Sequence, residues 1–260
     1  MKLNFKVFGS GKPVIILHGL FGMLDNWQQF AKQLANNYTV YILDIRNHGK
    51  SPHSDIFNYD VMSEDLVLFL EKNNITKPSL IGHSMGGKLA LKFAINRPKL
   101  LDKIIVIDIG IKKYNPRHTS ILTALNSLNL NSFASRDEID KAISVMIKDR
   151  KIRQFLLKNI ARNKSESGYH WKMNISAITK GYPNIIDKID FPNNFEKNCL
   201  FIKGENSDYI PEADKNDIRK HIPNARFTTI PKASHWVHVE NSQLLLKVVN
   251  EELSYTKLYP

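Results

Sequence analysis

The chain reads as an α/β protein: a mostly parallel central sheet, helices on both faces, and a helical cap inserted after the strand that ends at Asp108. Three observations predict this. Short apolar runs alternate with segments of helical apolar spacing through residues 1–110, with short loops between them. A Gly-x-Ser-x-Gly turn joins one of those runs directly to a helix. From Ile111 onward the apolar spacing becomes helical, and no convincing strand returns until Cys199. The expected core is therefore residues 1–110 and 190–260, with residues 111–189 as the cap.

The first strand is Met1–Val7, which alternates in polarity; Gly9–Pro13 is a turn and Pro13–Leu17 a second, buried strand. It runs into His18-Gly19-Leu20-Phe21-Gly22. Such a loop after a central strand suits an oxyanion hole, because glycines let the backbone turn an N–H toward the site. The expected donors are the backbone N–H groups of Leu20 and Met85, with His18 a structural group bonded to nearby backbone. Asp25 is read as the cap of a helix carrying Trp27, Phe30, Ala31 and Leu34 on one face. Thr39–Leu43 is the next strand. It leads into Asp44-Ile45-Arg46-Asn47-His48-Gly49-Lys50-Ser51, where Asp44 and Arg46 are expected to pin a loop. A helix starting at Asp60 or Ser63 runs to about Asn73.

The segment Leu80-Ile81-Gly82-His83-Ser84-Met85-Gly86-Gly87-Lys88-Leu89-Ala90 organises the rest. Gly82 and Gly86 frame Ser84 in the manner of a nucleophile elbow, which exposes a hydroxyl at the carboxyl edge of a sheet and aims a helix N-terminus at it. Gly82 to Lys88 also fits the start of a phosphate-binding loop, but Leu89 stands where that loop needs a Ser or Thr hydroxyl, so the phosphate reading is set aside. The helix stops before Arg97-Pro98, and Leu101–Ile107 is a further strand ending in Asp108.

In the cap, Ile139, Ala142, Ile143, Met146 and Ile147 share one helical face, and Ile152, Phe155, Leu156 and Ile160 another. Tyr114, Phe133, Trp171 and Met173 are the cap residues expected to line an acyl pocket. Cys199–Lys203 resumes the sheet, Pro211–His221 is helical, Arg226–Ile230 is the last strand, and a final helix starts at Asn241.

A serine hydroxyl is a poor nucleophile at neutral pH and needs a base, itself oriented by a third group. His235, in the loop after the last strand, is the candidate base, ahead of His238 at the start of the final helix. Two carboxylates compete for the third place: Asp108, after the strand that follows the elbow, and Asp208, one step beyond Ser207 in the loop after the penultimate strand.

These motifs together resemble the α/β-hydrolase superfamily, and more narrowly the small esterases of the YbfF type. The resemblance rests on His18-Gly19-Leu20-Phe21-Gly22, Asp44-x-Arg46-Asn47-His48-Gly49-x-Ser51-Pro52, Gly82-His83-Ser84-Met85-Gly86-Gly87-Lys88, Gly204-x-Asn206-Ser207 and His235-Trp236-Val237-His238. It spans essentially the whole chain. One departure is Ser234, where that branch more often has Gly. The resemblance implies an α/β-hydrolase fold, favours Asp108 as the acid, and gives Ser207 the role of supporting the histidine.

The implied activity is hydrolysis of short- to medium-chain acyl esters or thioesters through an acyl-enzyme on Ser84, with no metal or organic cofactor. Two alternatives stand beside it: a carbon-carbon bond hydrolase or lyase of the same fold, and a non-catalytic ligand receptor on a hydrolase scaffold.

The 260 residues, 42% hydrophobic and 24% charged, are an ordinary globular composition. The amino terminus lacks a signal peptide's apolar core, and no segment approaches the roughly 18 apolar residues of a membrane span. A cytoplasmic location is expected. The single Cys199 lies in an apolar run and reads as a buried structural thiol. Net charge is +12, yet no basic arm or basic-aromatic module points to nucleic acid. Between Ile111 and Lys180 there are 14 Lys plus Arg against 5 Asp plus Glu, an excess that motivates an anionic leaving group such as that of an acyl-CoA. The expected partner is thus a small acyl substrate; the sequence leaves the oligomeric state open.

Overall fold

The computed structural model describes residues 1–163, 167–192 and 195–255. Its elements follow the chain as β1 (Phe5–Phe8), β2 (Lys12–Leu17), α1 (Gln28–Leu34), β3 (Tyr38–Leu43), α2 (Tyr59–Lys72), β4 (Ser79–His83), α3 (Met85–Asn96) and β5 (Ile104–Ile107). The cap holds α4 (Thr119–Asn126), α5 (Arg136–Ser144), α6 (Arg150–Leu157), β6 (Ile160–Arg162), β7 (Tyr169–Trp171) and α7 (Ile175–Ile186). The core resumes with β8 (Cys199–Gly204), α8 (Glu212–His221), β9 (Ala225–Ile230), α9 (Val237–Glu240) and α10 (Ser242–Ser254).

Seven strands form one sheet in the order β1-β3-β2-β4-β5-β8-β9; β1 is antiparallel to β3 and every other pairing is parallel. Strand side chains alternate between faces, and both faces are apolar here. Val14, Ile16, Ile42, Ile81 and Ile105 pack under Trp27, Phe30 and Leu34 of the α1 region and Leu245 and Val249 of α10. Ile15, Leu17, Leu80, Val106 and Phe201 point the other way, toward α2, α3 and the cap. The run-like apolar strands of the sequence are thus those of a sheet buried on both sides.

Helix starts differ from the expected ones. Asp25 lies inside a 3-10 turn, Leu24–Trp27, and its carboxylate pairs with Lys6 at 2.8 Å instead of capping. The α2 cap is Asn58, whose side chain accepts from Val61 N; Asp60 and Ser63 lie within the helix. Asx side chains compete for the cap position on local backbone geometry, which spacing alone does not resolve. His238 belongs to the short α9 and not to the final helix. The cap also contains the antiparallel hairpin β6–β7, paired from Ile160↔Trp171 to Arg162↔Tyr169, where only helix was expected. Three-residue strands are too short to leave a period-2 signal.

The cap leaves the core after β5 and returns to β8, the strand beside it, so the insertion does not interrupt the sheet. Its two crossings are tied together: Tyr114 N donates to Ile186 O at 2.8 Å, and Ile189 N to Ile111 O at 2.8 Å. Lys88 of α3, 1% exposed, reaches both crossings through Nζ, donating to Lys112 O at 2.7 Å and to Asp187 O. Burial lowers this ammonium to about 7, against the opposing pull of the Asp187 charge.

Candidate active site

Ser84 sits between β4 and α3 with φ 52° and ψ −119°, a conformation that non-glycine residues seldom adopt. The turn closes because its neighbours lack side chains: a Cβ on Gly82 would stand 2.1 Å from Gly86 O, and one on Gly86 2.2 Å from Leu17 O. Ser84 N is fixed to Ile107 O at 2.9 Å, and Ser84 O accepts from Gly87 N at 2.8 Å. The hydroxyl is therefore presented at the carboxyl end of the sheet, above the start of α3.

Asp108 follows β5, also with positive φ, 52°, and is fully buried. Its Oδ1 accepts from Gly204 N at 2.9 Å; its Oδ2 accepts from Ser207 Oγ and faces His235 Nδ1 at 2.8 Å. His235, in the loop between β9 and α9, is stacked on Tyr209, with ring centroids 3.9 Å apart and planes within 15°. His83 Nε2 lies 2.8 Å from His235 O; a carbonyl only accepts, so His83 donates there. A carboxylate on Nδ1 assigns the His235 proton to that nitrogen and leaves Nε2 as the basic one. Ser207 thus acts on the carboxylate, not on the imidazole itself.

Asp208, the competing acid, points elsewhere. It is exposed and paired with Arg117 Nη1 at 2.5 Å, and that guanidinium holds its carboxyl below the usual range.

The loop carrying Leu20 is braced by two buried histidines. His18 Nε2 accepts from Ile45 N at 3.0 Å, so Nδ1 donates to Gly19 O at 2.8 Å; His48 Nε2 accepts from Phe21 N at 3.3 Å, and Nδ1 donates to Arg46 O at 3.0 Å. Burial drives His18 down to about 4 and His48 to about 3. Both stay neutral, as these roles require. The N–H groups that follow Leu20 in the loop are committed, Phe21 N to His48 and Gly22 N to Gly19 O. Met85 is the first residue of α3, where backbone N–H groups lack intrahelical acceptors.

Asp44 and Arg46 both pin loops, through different partners. Asp44 accepts from Leu24 N, Lys50 N and Asn4 Nδ2, whereas Arg46 Nε pairs with Asp65 at 2.6 Å in a buried contact.

A pocket opens over Ser84 between core and cap. Leu20, Met85, Tyr59, Tyr114, His118 and Tyr182 are among its walls. Of the four cap residues expected there only Tyr114 takes part; Phe133, Trp171 and Met173 pack in the apolar core beyond the pocket. Helical periodicity shows which residues are inward, not which inward face meets the sheet edge. The sequence reading missed His118, Tyr182 and Tyr209, which carry no motif. Among the described residues no three His, Cys, Asp or Glu side chains group as a metal site.

With this geometry in place, comparison with known proteins is direct. A profile described as the alpha/beta hydrolase fold matches residues 12–242. The chain belongs to the α/β-hydrolase family. Esterase YbfF of Escherichia coli (strain K12) is 32% identical over 260 residues, covering 98% of this chain and all of that protein. A zebrafish (Danio rerio) protein named sn-1-specific diacylglycerol lipase ABHD11 is 34% identical, covering 92% of this chain and 78% of its own. Among solved structures, a marine microorganism esterase aligns with a TM-score of 0.92 at 40% identity, over 96% of this chain and 98% of that one. Among the described residues no helix is long and apolar enough to cross a membrane.

Proposed function

We propose that this chain is a serine esterase acting on small carboxylic esters. The observation that carries the reading is the contact of Asp108 Oδ2 with His235 Nδ1 at 2.8 Å, together with a Ser84 held at φ 52° in the strand-to-helix turn. Ser84 Oγ attacks the acyl carbonyl while His235 Nε2 takes its proton; the oxyanion is received by the N–H groups of Leu20 and Met85. Collapse of this intermediate expels the alcohol, which leaves with the proton from His235. Water then attacks the acyl-enzyme with His235 as base, and Ser84 is regenerated. Asp108 keeps the imidazole in the required tautomer, and Ser207 and Gly204 N hold Asp108. The domain division (core 1–110 and 190–260, cap 111–189) makes the cap the lid of the acyl pocket. Relatives named as an esterase and a lipase support the substrate class.

A second reading, thioester hydrolysis with an anionic leaving group such as that of an acyl-CoA, rests on the basic excess of the cap. Arg117 of the pocket wall is already neutralised by Asp208, which favours the neutral ester.

The test is intact mass after treatment with a fluorophosphonate, for the wild type and Ser84→Ala, together with turnover of a butyryl ester and butyryl-CoA. One adduct, absent from Ser84→Ala, with ester turnover in excess is the expected result. An unlabelled wild type overturns the reading and favours a ligand receptor.

A further inference from the structure

The pocket wall contains a second histidine that the mechanism above leaves unused. His118 stands where the chain enters α4, with its ring edge-on to Phe21 of the Leu20 loop at 5.8 Å between centroids. Its Nδ1 lies 3.0 Å from Tyr182 Oη. That phenol oxygen already accepts two backbone N–H groups, Arg117 N at 3.0 Å and His118 N at 3.1 Å.

A phenol offers about two acceptor positions and one proton. With both positions filled, the Tyr182 proton must go to His118 Nδ1, which therefore accepts. The imidazole proton then resides on Nε2, at the opposite edge of the ring. Burial, aided by the charges of His235 and Arg117, lowers His118 to about 4, so at neutral pH it carries that single proton and no net charge. Among the described residues nothing accepts a hydrogen bond from Nε2. His118 is half-buried in the pocket wall; where a bound substrate shields this N–H from water, leaving it unpaired is costly, so the pocket favours a ligand that pairs it.

We propose that His118 is a specificity-determining residue whose Nε2–H, aimed by Tyr182, receives an acceptor oxygen of the substrate close to the scissile carbonyl. The substrate class is accordingly an ester bearing an ether, hydroxyl or second carbonyl oxygen within a few bonds of the cleaved one. This rests on the esterase reading of the same pocket.

The experiment uses isosteric pairs that differ by one oxygen for one methylene: 2-methoxyethyl butyrate against butyl butyrate for the alcohol side, and methyl 3-methoxypropanoate against methyl pentanoate for the acyl side. The kcat/KM ratio within each pair is divided by the same ratio for hydroxide hydrolysis, which removes intrinsic reactivity. In the wild type one pair is expected to favour the oxygen analogue by about five-fold, the worth of a neutral hydrogen bond. His118→Phe, which keeps an aromatic ring and removes the donor, is expected to bring that ratio to about one. Tyr182→Phe frees the tautomer and is expected to lower it as well, and it stands in if His118→Phe does not fold. A wild-type ratio near one for both pairs, or a ratio unchanged in a folded variant, overturns the proposal. Fluorophosphonate labelling of Ser84 in each protein separates the two claims: labelling without an oxygen preference sinks only the role of His118, whereas no labelling sinks the esterase reading.

Discussion

Replacing Asp108 by Asn tests the core of the site without changing its size. The carboxylate serves three donors: Gly204 N on one oxygen, and Ser207 Oγ and His235 Nδ1 on the other. An amide has one oxygen, so either orientation fails. With its NH2 toward His235, it donates to Nδ1 and forces the proton onto Nε2, the nitrogen that accepts from Ser84 in the proposed mechanism. Flipped, the NH2 confronts Gly204 N, donor against donor, in a fully buried site. The expected loss in kcat is on the order of 10²- to 10⁴-fold, the range found when the tautomer of such a histidine is inverted. KM should change little, because Asp108 does not line the pocket. The assay is steady-state turnover of 4-nitrophenyl butyrate, with the thermal midpoint of the variant confirming that it folds. A folded Asp108→Asn with near wild-type kcat, beside an inactive Asp208→Asn, refutes the assignment.

Other expectations concern buried charge and its titration. Lys88→Met leaves the Lys112 and Asp187 carbonyls without their shared donor and should lower stability by about 1–3 kcal/mol in urea denaturation; a midpoint equal to the wild type would remove Lys88 as the tie between α3 and the cap crossings. Asp65→Asn removes the negative charge that faces the buried Arg46 and the Met1 amino group, while Arg46 keeps its bonds to Ile56 O and Val61 O, and should cost about 3–5 kcal/mol by the same measurement; a cost under about 1 kcal/mol would contradict the pairing. His18 and His48 are depressed by burial to about 4 and about 3, below their ordinary 6.5. The unfolded chain binds more protons in that interval, so their contribution is complete above about pH 6.5 and is lost as pH falls toward the folded values. Each adds a slope approaching 1.4 kcal/mol per pH unit. Urea midpoints at pH 7 and pH 5 should therefore fall apart clearly, and coincident midpoints would show these histidines are not buried neutral.

Much of the fold and site was legible because local rules govern it. The inner strands are apolar runs, since a sheet covered on both faces needs no polar alternation. The elbow was legible because a serine at φ 52° between a strand and a helix tolerates only glycine at positions 82 and 86. The short hairpin of the cap, the Asn58 cap of α2 and the pocket wall were not. The α2 cap turns on local backbone geometry at Asn58 that spacing does not single out, and the hairpin strands are too short to show a period; the pocket wall depends on contacts between residues distant in the chain, as when Tyr182 reaches His118.

The acid shows the division most clearly. Sequence order placed Asp108 and Asp208 in plausible loops, and resemblance alone ranked them. Spatially, β8 is the neighbour of β5, so the end of β5 lies next to Gly204 and Ser207, and their donors converge on Asp108. Asp208, one residue past Ser207, turns outward to Arg117. The chain by itself determined the sheet, the elbow and the chemical types at the site, because these follow from steric limits and apolar periodicity over a few residues. Which carboxylate meets His235, which cap residues face Ser84 and which tautomer His118 holds were decided by the tertiary structure, because hydrogen bonds act over about 3 Å and that proximity is set by the packing of the whole sheet and cap.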